Sequence, residues 1–280
     1  MLIHSLSQIL IGDLVTVFNK AFEGYFLPIQ LNEQQLSDKI KSENIQLEYS
    51  VGVTIEGQLV AFILTGVDFN QQQTISYNAG TGVIPEFRGL HLTEKMYAYL
   101  LPILEKQNIS KHQLEVITQN TKALRIYEQI GYTITKTVSC FKGNVIPPSK
   151  ETVYDFVKLD AITDTLLPSF WNHNPTYQNT LSSINRNKAI HETIGAFDSE
   201  ELIAYIIYVK NSGRIRQFGV HPNYRNNGIG HRLFYEAQKA NPTADVVLIN
   251  SDNADFKTHS FLKKIGLDVF IEQFEMSLQN

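Results

Sequence analysis

Val83-Ile84-Pro85-Glu86-Phe87-Arg88 and Val220-His221-Pro222-Asn223-Tyr224-Arg225 share valine, proline, an aromatic residue and arginine at an offset of 137. Each block closes a β-rich run and opens onto an apolar pattern of helical period. In the second copy the junction continues as Asn226-Asn227-Gly228-Ile229-Gly230. A helix N-terminus offers unpaired backbone N–H groups and a positive dipole end, which together hold a phosphate. Glycines remove side chains that would block close approach, and arginine adds a fixed charge. The block reads as a turn that cradles a phosphate or pyrophosphate.

The elements around this turn come in duplicate. Ile130-Gly131 recurs as Ile265-Gly266 at an offset of 135, so two anchors repeat in the same order at about half the 280-residue length. This points to two copies of one unit. The seam is expected near Asn144-Val145-Ile146-Pro147-Pro148-Ser149-Lys150, where two prolines cannot continue a helix or a central strand. Residues 1–146 and 151–280 are then the two domains, each of ordinary size.

In the first copy, helical periodicity covers Ile9–Phe22 and Asn32–Ser42. Strands are expected at Leu47–Ile55, Gln58–Val67 and Thr74–Ile84, with Glu56-Gly57 as a hairpin turn. A helix over Arg88–Lys106 follows, which Pro102 should kink or shorten. Strand Leu114–Thr118, helix Thr121–Ile130 and strand Tyr132–Phe141 close the copy. The second copy repeats this order from Val153 to Met276, with a shorter N-terminal helical stretch. The predicted class is α+β: a mixed central sheet flanked by helices, twice over.

The phosphate turns resemble those of the GNAT superfamily of acyl-CoA-dependent N-acetyltransferases, whose hallmark R/Q-x-x-G-x-G/A is matched by Arg225-x-x-Gly228-x-Gly230. A second feature of that family, a strand followed by N-x-x-A-x-x-x-Y and an aliphatic-Gly-aromatic, is matched by Leu114–Thr118, Asn120, Ala123, Tyr127 and Ile130-Gly131-Tyr132. The likeness covers nearly the whole chain as a tandem pair. Each copy departs from the pattern in a different place. The first reads Arg88-Gly89-Leu90-His91-Leu92-Thr93, with His91 and Thr93 where glycines are usual. The second has Asp255, Thr258 and Leu262 at the places of Asn120, Ala123 and Tyr127.

The resemblance implies acetyl-CoA as cosubstrate, without a metal, and direct transfer of the acetyl group to a primary amine. Coenzyme A is then expected on Val83, Arg88–Thr93, Asn120 and Tyr127 in the first copy. In the second it is expected on Val220, Arg225, Asn226, Asn227, Gly228, Ile229 and Gly230. In relatives two strands splay apart and the pantetheine arm inserts between them, pairing with free backbone groups. Here the splay falls at Asn78-Ala79-Gly80-Thr81-Gly82-Val83, whose glycines suit a bulge. The resemblance makes the N–H of Val83 the donor to the thioester carbonyl, and Tyr127 the general acid, since a phenol with a pKa near ~10 stays protonated. Asn120 also suits a helix cap. Glu115 is the favoured base, with Glu23 a second candidate and a base-free route open. The first domain is expected to be catalytic and the second to bind CoA or support it. The alternatives are catalysis in the second domain, or an acyl-CoA sensor without catalysis.

Other classes have little support. Lys and Arg number 24 against 28 Asp and Glu, for a net charge of −4, so phosphate-driven nucleic-acid binding is not indicated. No apolar run reaches the ~18 residues of a membrane span. The lone Cys140 excludes an internal disulfide and suits a cytoplasmic protein. The eight histidines stand at no metal-ligand spacing, so no metal is expected. The partner is a small-molecule or peptide amine, with a homodimer allowed and neither nucleic acid nor membrane involved.

Overall fold

The computed structural model describes residues 1–69, 73–149, 151–160, 162, 167–241 and 245–279. Contacts divide the chain into Met1–Thr135 with Phe274–Asn280, and Lys136–Gln273. The proline stretch 144–148 therefore belongs to the second unit.

The first unit begins with strand β1 (Leu2–Ser5) and helices α1 (Ile11–Ala21) and α2 (Glu33–Ser42). α1 buries Leu14, Val17, Phe18 and Ala21, a stripe at helical spacing. α2 starts at a capping box, in which Asn32 and Gln35 satisfy each other's backbone N–H groups. Strands β2 (Val51–Ile55) and β3 (Gln58–Phe69) join through Glu56 and Gly57, both with positive φ, as a two-residue hairpin favours. The first residues of the expected strand Leu47–Ile55 instead form a 3-10 turn, Leu47–Tyr49. Then come β4 (Thr74–Val83), α3 (Leu92–Lys106), β5 (Lys111–Ile117), α4 (Thr121–Ile130) and β6 (Thr133–Gly143). The sheet order is β1-β2-β3-β4-β5, completed by the end of the chain's last strand.

Two expectations fail locally. α3 starts at Leu92 rather than Arg88, because Gly89 and His91 both take positive φ and cannot be helical. Of the two effects expected of Pro102, shortening does not occur: α3 runs on to Lys106. Pro102 and Ala98 both face solvent, where water can satisfy the carbonyl that the proline leaves unbonded.

The second unit replaces the first two helices by 3-10 turns at Leu167–Phe170 and Tyr177–Asn179 and a short α5 (Leu181–Arg186). Its sheet contains β7 (Asp155–Leu159), β8 (His191–Asp198), β9 (Glu201–Val209), β10 (Arg214–Val220) and β11 (Val246–Asp252). α6 (Ile229–Lys239) and α7 (Phe256–Lys264) cover one face. There Phe234, Leu233, Ile215 and Phe141 form the core, while Phe170, Leu167 and Tyr205 form another beneath the 3-10 turns. The last strand, β12 (Leu267–Gln279), belongs to the second unit up to Gln273 and to the first from Phe274. β6 is likewise assigned to the first unit up to Thr135 and to the second from Lys136.

Candidate active site

In both units a parallel pair of strands starts together and then separates. β4 pairs with β5 only from Ile75 to Tyr77, and β10 pairs with β11 only at Arg214 and Ile215. Just past each pairing a register shift marks a bulge, at Ala79 in β4 and Arg216 in β10. The bulge twists the strand away from its partner and frees its backbone. On the other side the strands stay paired: the N–H of Ile84 donates to Val60 and that of His221 to Ile203. Antiparallel bonding alternates, so the N–H groups of Val83 and Val220, and of Phe218 two residues earlier, face the opening. Val83 is the residue whose N–H the sequence expectation made the carbonyl donor, and Val220 holds the equivalent place in the second unit. Phe218 was not singled out in the sequence, because no side-chain pattern records which way an N–H points.

The turns that follow share one backbone shape. Gly89 and His91 have φ of 82° and 55°; Asn226 and Gly228, at the equivalent places, have 68° and 78°. His91 accepts a left-handed conformation that glycine takes at lower cost, and histidine is among the side chains found there more often. Gly230 packs tightly, since a Cβ there would lie 3.1 Å from the Phe261 ring, which would have to shift slightly to admit it. Leu92 and Ile229 bury their side chains and begin the helices, while Leu90 is exposed. Asn227 donates to the Tyr224 carbonyl.

The two arginines hold the junction together. Arg88 donates to the carbonyls of Val83 and Ala21, at 3.2 and 3.0 Å. Arg225 donates to the carbonyls of Val220 and Phe170, both at 3.0 Å, and to Asn172 Oδ1 at 2.8 Å. Both guanidinium groups tie the strand end to the segment packed beside it, the end of α1 in the first unit and the Phe170–Asn172 stretch in the second.

What surrounds the openings differs. In the first unit His91 Nδ1 lies 2.8 Å from Glu94 Oε1, which sets a carboxylate in the first turn of α3, beside the cradle. Thr93 is partly exposed at the place of Gly230. Tyr97, Tyr127 and Tyr132 pack edge to face, with centroids 5.8–6.1 Å apart. Asn78 donates to Tyr97 at 2.8 Å and to Tyr127 at 3.5 Å. Burial pushes the Tyr127 phenol up to about 12, with Thr81 as a hydrogen-bond partner and Tyr25 close by. Asn120 caps α4, accepting from Ala123 N–H at 3.2 Å, and donates to the Tyr25 hydroxyl at 3.5 Å. The loop bearing Tyr25 therefore reaches across the opening to the α4 N-terminus.

Glu115 accepts a hydrogen bond from Tyr77 at 2.5 Å. Tyr77 and Asn78 are neighbours on one strand, so Glu115 and Tyr127 lie on opposite faces of the sheet. Burial raises the Glu115 carboxyl to about 7, the Tyr77 hydrogen bond opposing the shift and the carboxylates of Glu275 and Glu43 adding to it. Glu23 is exposed in the turn after α1.

In the second unit the opening is a cleft of about 1610 Å³, lined by Phe218, Val220, Gly228, Gly230, Ile249 and Phe261 among others. Thr152 approaches Gly228, and Ile146 accepts from His231 at 2.6 Å, so the proline stretch forms one wall. Asp255 caps α7 as Asn120 caps α4, accepting from Thr258 N–H at 3.1 Å. Asn172 donates to both Asp255 oxygens, at 3.1 and 3.0 Å, spanning the opening as Tyr25 does in the first unit. Leu262 is fully buried at the place of Tyr127, so no phenol enters this cleft from α7 at that position. Among the described residues no group of three or more His, Cys, Asp or Glu could hold a metal ion, and no helix is long and apolar enough to cross a membrane.

The model of the acetyltransferase (GNAT) family matches residues 13–132 and again 158–267. The chain belongs to the GNAT family. It carries two GNAT repeats in tandem, and the paired openings and turns are the repeats' shared feature. Solved structures agree in fold. A tandem GNAT protein from the clavulanic acid biosynthesis pathway, determined without AcCoA, superposes with a TM-score of 0.76 at 11% identity, over 99% of this chain and 98% of that one. A GCN5-related N-acetyltransferase from Sphaerobacter thermophilus gives 0.69 at 14%, over 99% and 95%. Another from Anabaena variabilis gives 0.58 at 14%, over 99% and 72%. No curated protein matches in sequence.

Proposed function

We propose that this GNAT protein is an acyl-CoA-dependent N-acyltransferase that holds acetyl-CoA in the Lys136–Gln273 unit and moves the acetyl group directly to a primary amine. The observation that carries the reading is a coincidence in space. The large cleft of the second unit contains the parted strands, the outward N–H groups of Phe218 and Val220, and the Gly228–Gly230 turn.

The residues fit the cosubstrate at each end. The amides at the start of α6 suit the diphosphate. The free N–H groups of β10 suit the amides and carbonyls of pantetheine, which lies between strands like an added strand. One of them, Val220 or Phe218, is placed to stabilise negative charge as it develops on the thioester oxygen. With Leu262 at the Tyr127 position, the departing thiolate takes its proton from the attacking nitrogen or from water. The reading needs no metal and places the protein in the cytoplasm, with a small-molecule or peptide amine as acceptor.

A second reading puts the chemistry in the first unit. It is favoured by Tyr127 and Asn120, which stand beside the β4 opening. Thiol release from acetyl-CoA, with a panel of primary amines and aminoglycosides, separates the two. Tyr127→Phe should leave turnover within ~2-fold; a drop of ~10-fold or more, as expected for a lost general acid, moves the reaction to the first unit. Tight CoA binding without thiol release across the panel makes the protein a sensor instead.

A further inference from the structure

We infer that His173, paired with Asp252, is the proton acceptor that prepares the amine in the second unit's cleft; this rests on the acyltransferase reading above. Direct transfer needs a neutral nitrogen lone pair, whereas a primary amine in water is mostly an ammonium ion. Histidine changes charge in the neutral range and is the commonest side chain for this task. Both His173 and Asp252 line the cleft. His173 sits in the loop that crosses the opening, next to Asn172, which joins Arg225 to Asp255. Its Nδ1 lies 3.8 Å from Asp252 Oδ2, at the end of β11.

The pairing has the form of an oriented base. At 3.8 Å the contact is electrostatic rather than a hydrogen bond; a carboxylate on the Nδ1 side favours a proton at that nitrogen and leaves Nε2 to receive one from the incoming nitrogen. Asp252 is itself held: its Oδ1 accepts from Ala254 N–H at 2.9 Å, and Lys136 Nζ lies 3.3 Å from Oδ2. The other charged groups around the ring come from separate elements. Asp255 heads α7; burial opposes its ionisation, but hydrogen bonds from Thr258 and Asn172, with His173 adding to them, hold its carboxyl below the usual range. Lys257 and His259 lie further along α7, and Arg225 reaches the loop through Asn172.

In the step, one proton of R–NH3+ passes to Nε2. The nitrogen then bonds to the carbonyl carbon while the C–S bond breaks, its electron pair leaving on sulfur. The second nitrogen proton ends on that thiolate, and the imidazolium returns its proton to water.

The test uses the full chain, acetyl-CoA and the same amine panel, with CoA affinity by calorimetry and the His173 ring proton followed by NMR titration. His173→Gln should lower kcat at pH 7 by at least ~30-fold, within the range for a lost general base, with CoA affinity unchanged within ~2-fold. The deficit should shrink as pH rises and the free amine becomes abundant. Asp252→Asn removes the carboxylate that faces Nδ1, so kcat should fall with CoA affinity unchanged within ~2-fold, and the acid limb of kcat/KM should change with it. A His173→Gln enzyme within ~3-fold of wild type, or one that loses CoA binding in step with activity, overturns the assignment. So does an acid limb that neither variant moves. Wild-type protein that binds CoA yet releases no thiol defeats the acyltransferase reading itself, and this inference with it.

Discussion

The two units draw one backbone and fill it differently. Both part their strands after a bulge, both set two positive-φ residues before a helix, and both anchor an arginine on the carbonyl of the preceding valine. At matched positions, however, the first unit has Ala79, His91 and Glu94 where the second has Arg216, Gly228 and His231. The first gathers tyrosines around its opening, and the second leaves a cleft. Duplication has conserved the geometry that exposes backbone donors. Side chains set the difference: a glycine precedes the helix in one copy, and a histidine paired with a carboxylate in the other.

The largest effect expected from this contrast is on coenzyme A affinity. Gly228→Glu places a carboxylate at the cradle and should weaken CoA binding by at least ~30-fold, against less than ~2-fold for His91→Glu, both read by calorimetry. Circular dichroism checks that the left-handed position has not unfolded the variant. Equal losses would erase the distinction between the units. Stoichiometry is the next discriminator: wild type should take up one CoA per chain. Two equivalent sites in a titration of the unaltered protein would break the contrast outright.

A smaller effect concerns Glu115. Its carboxyl titrates at about 7 in the folded protein, above the unfolded value near ~4.3, so the native state binds the extra proton between these pH values. Its contribution to stability is therefore full below the unfolded pKa and lost as pH rises through 7. Glu115→Gln should raise the melting temperature at pH 8 and change it little at pH 4. The reverse order would mean that the carboxylate is favoured in place. The smallest effect is expected at His91. His91→Gly relieves a left-handed side chain whose Glu94 contact is exposed, and should stabilise the fold by up to ~1 kcal/mol in denaturant titrations.

Much of this was legible in the chain. The repeated Val-x-Pro-x-aromatic-Arg block located both turns, and Thr121–Ile130 was bounded to the residue by its Asn120 cap and Gly131. The start of α3 was not, because helical periodicity from Leu92 hides the two left-handed residues before it. His173 and Asp252 could not be linked either, since they lie on a loop and a strand end far apart in sequence. The hand-over within β6 and β12 has no signature of its own: residues on either side of Thr135 or Gln273 are equally good strand formers.

That hand-over has a consequence for synthesis. Phe274–Gln279 belongs with the first unit, so a ribosome that has already delivered α4 must translate the entire second repeat before β5 gains its neighbour. Until then a hydrophobic strand edge waits open, a hazard for misassembly. A fragment cut at the proline stretch would keep that edge for good, and removing Phe274–Asn280 should injure the half that was made first.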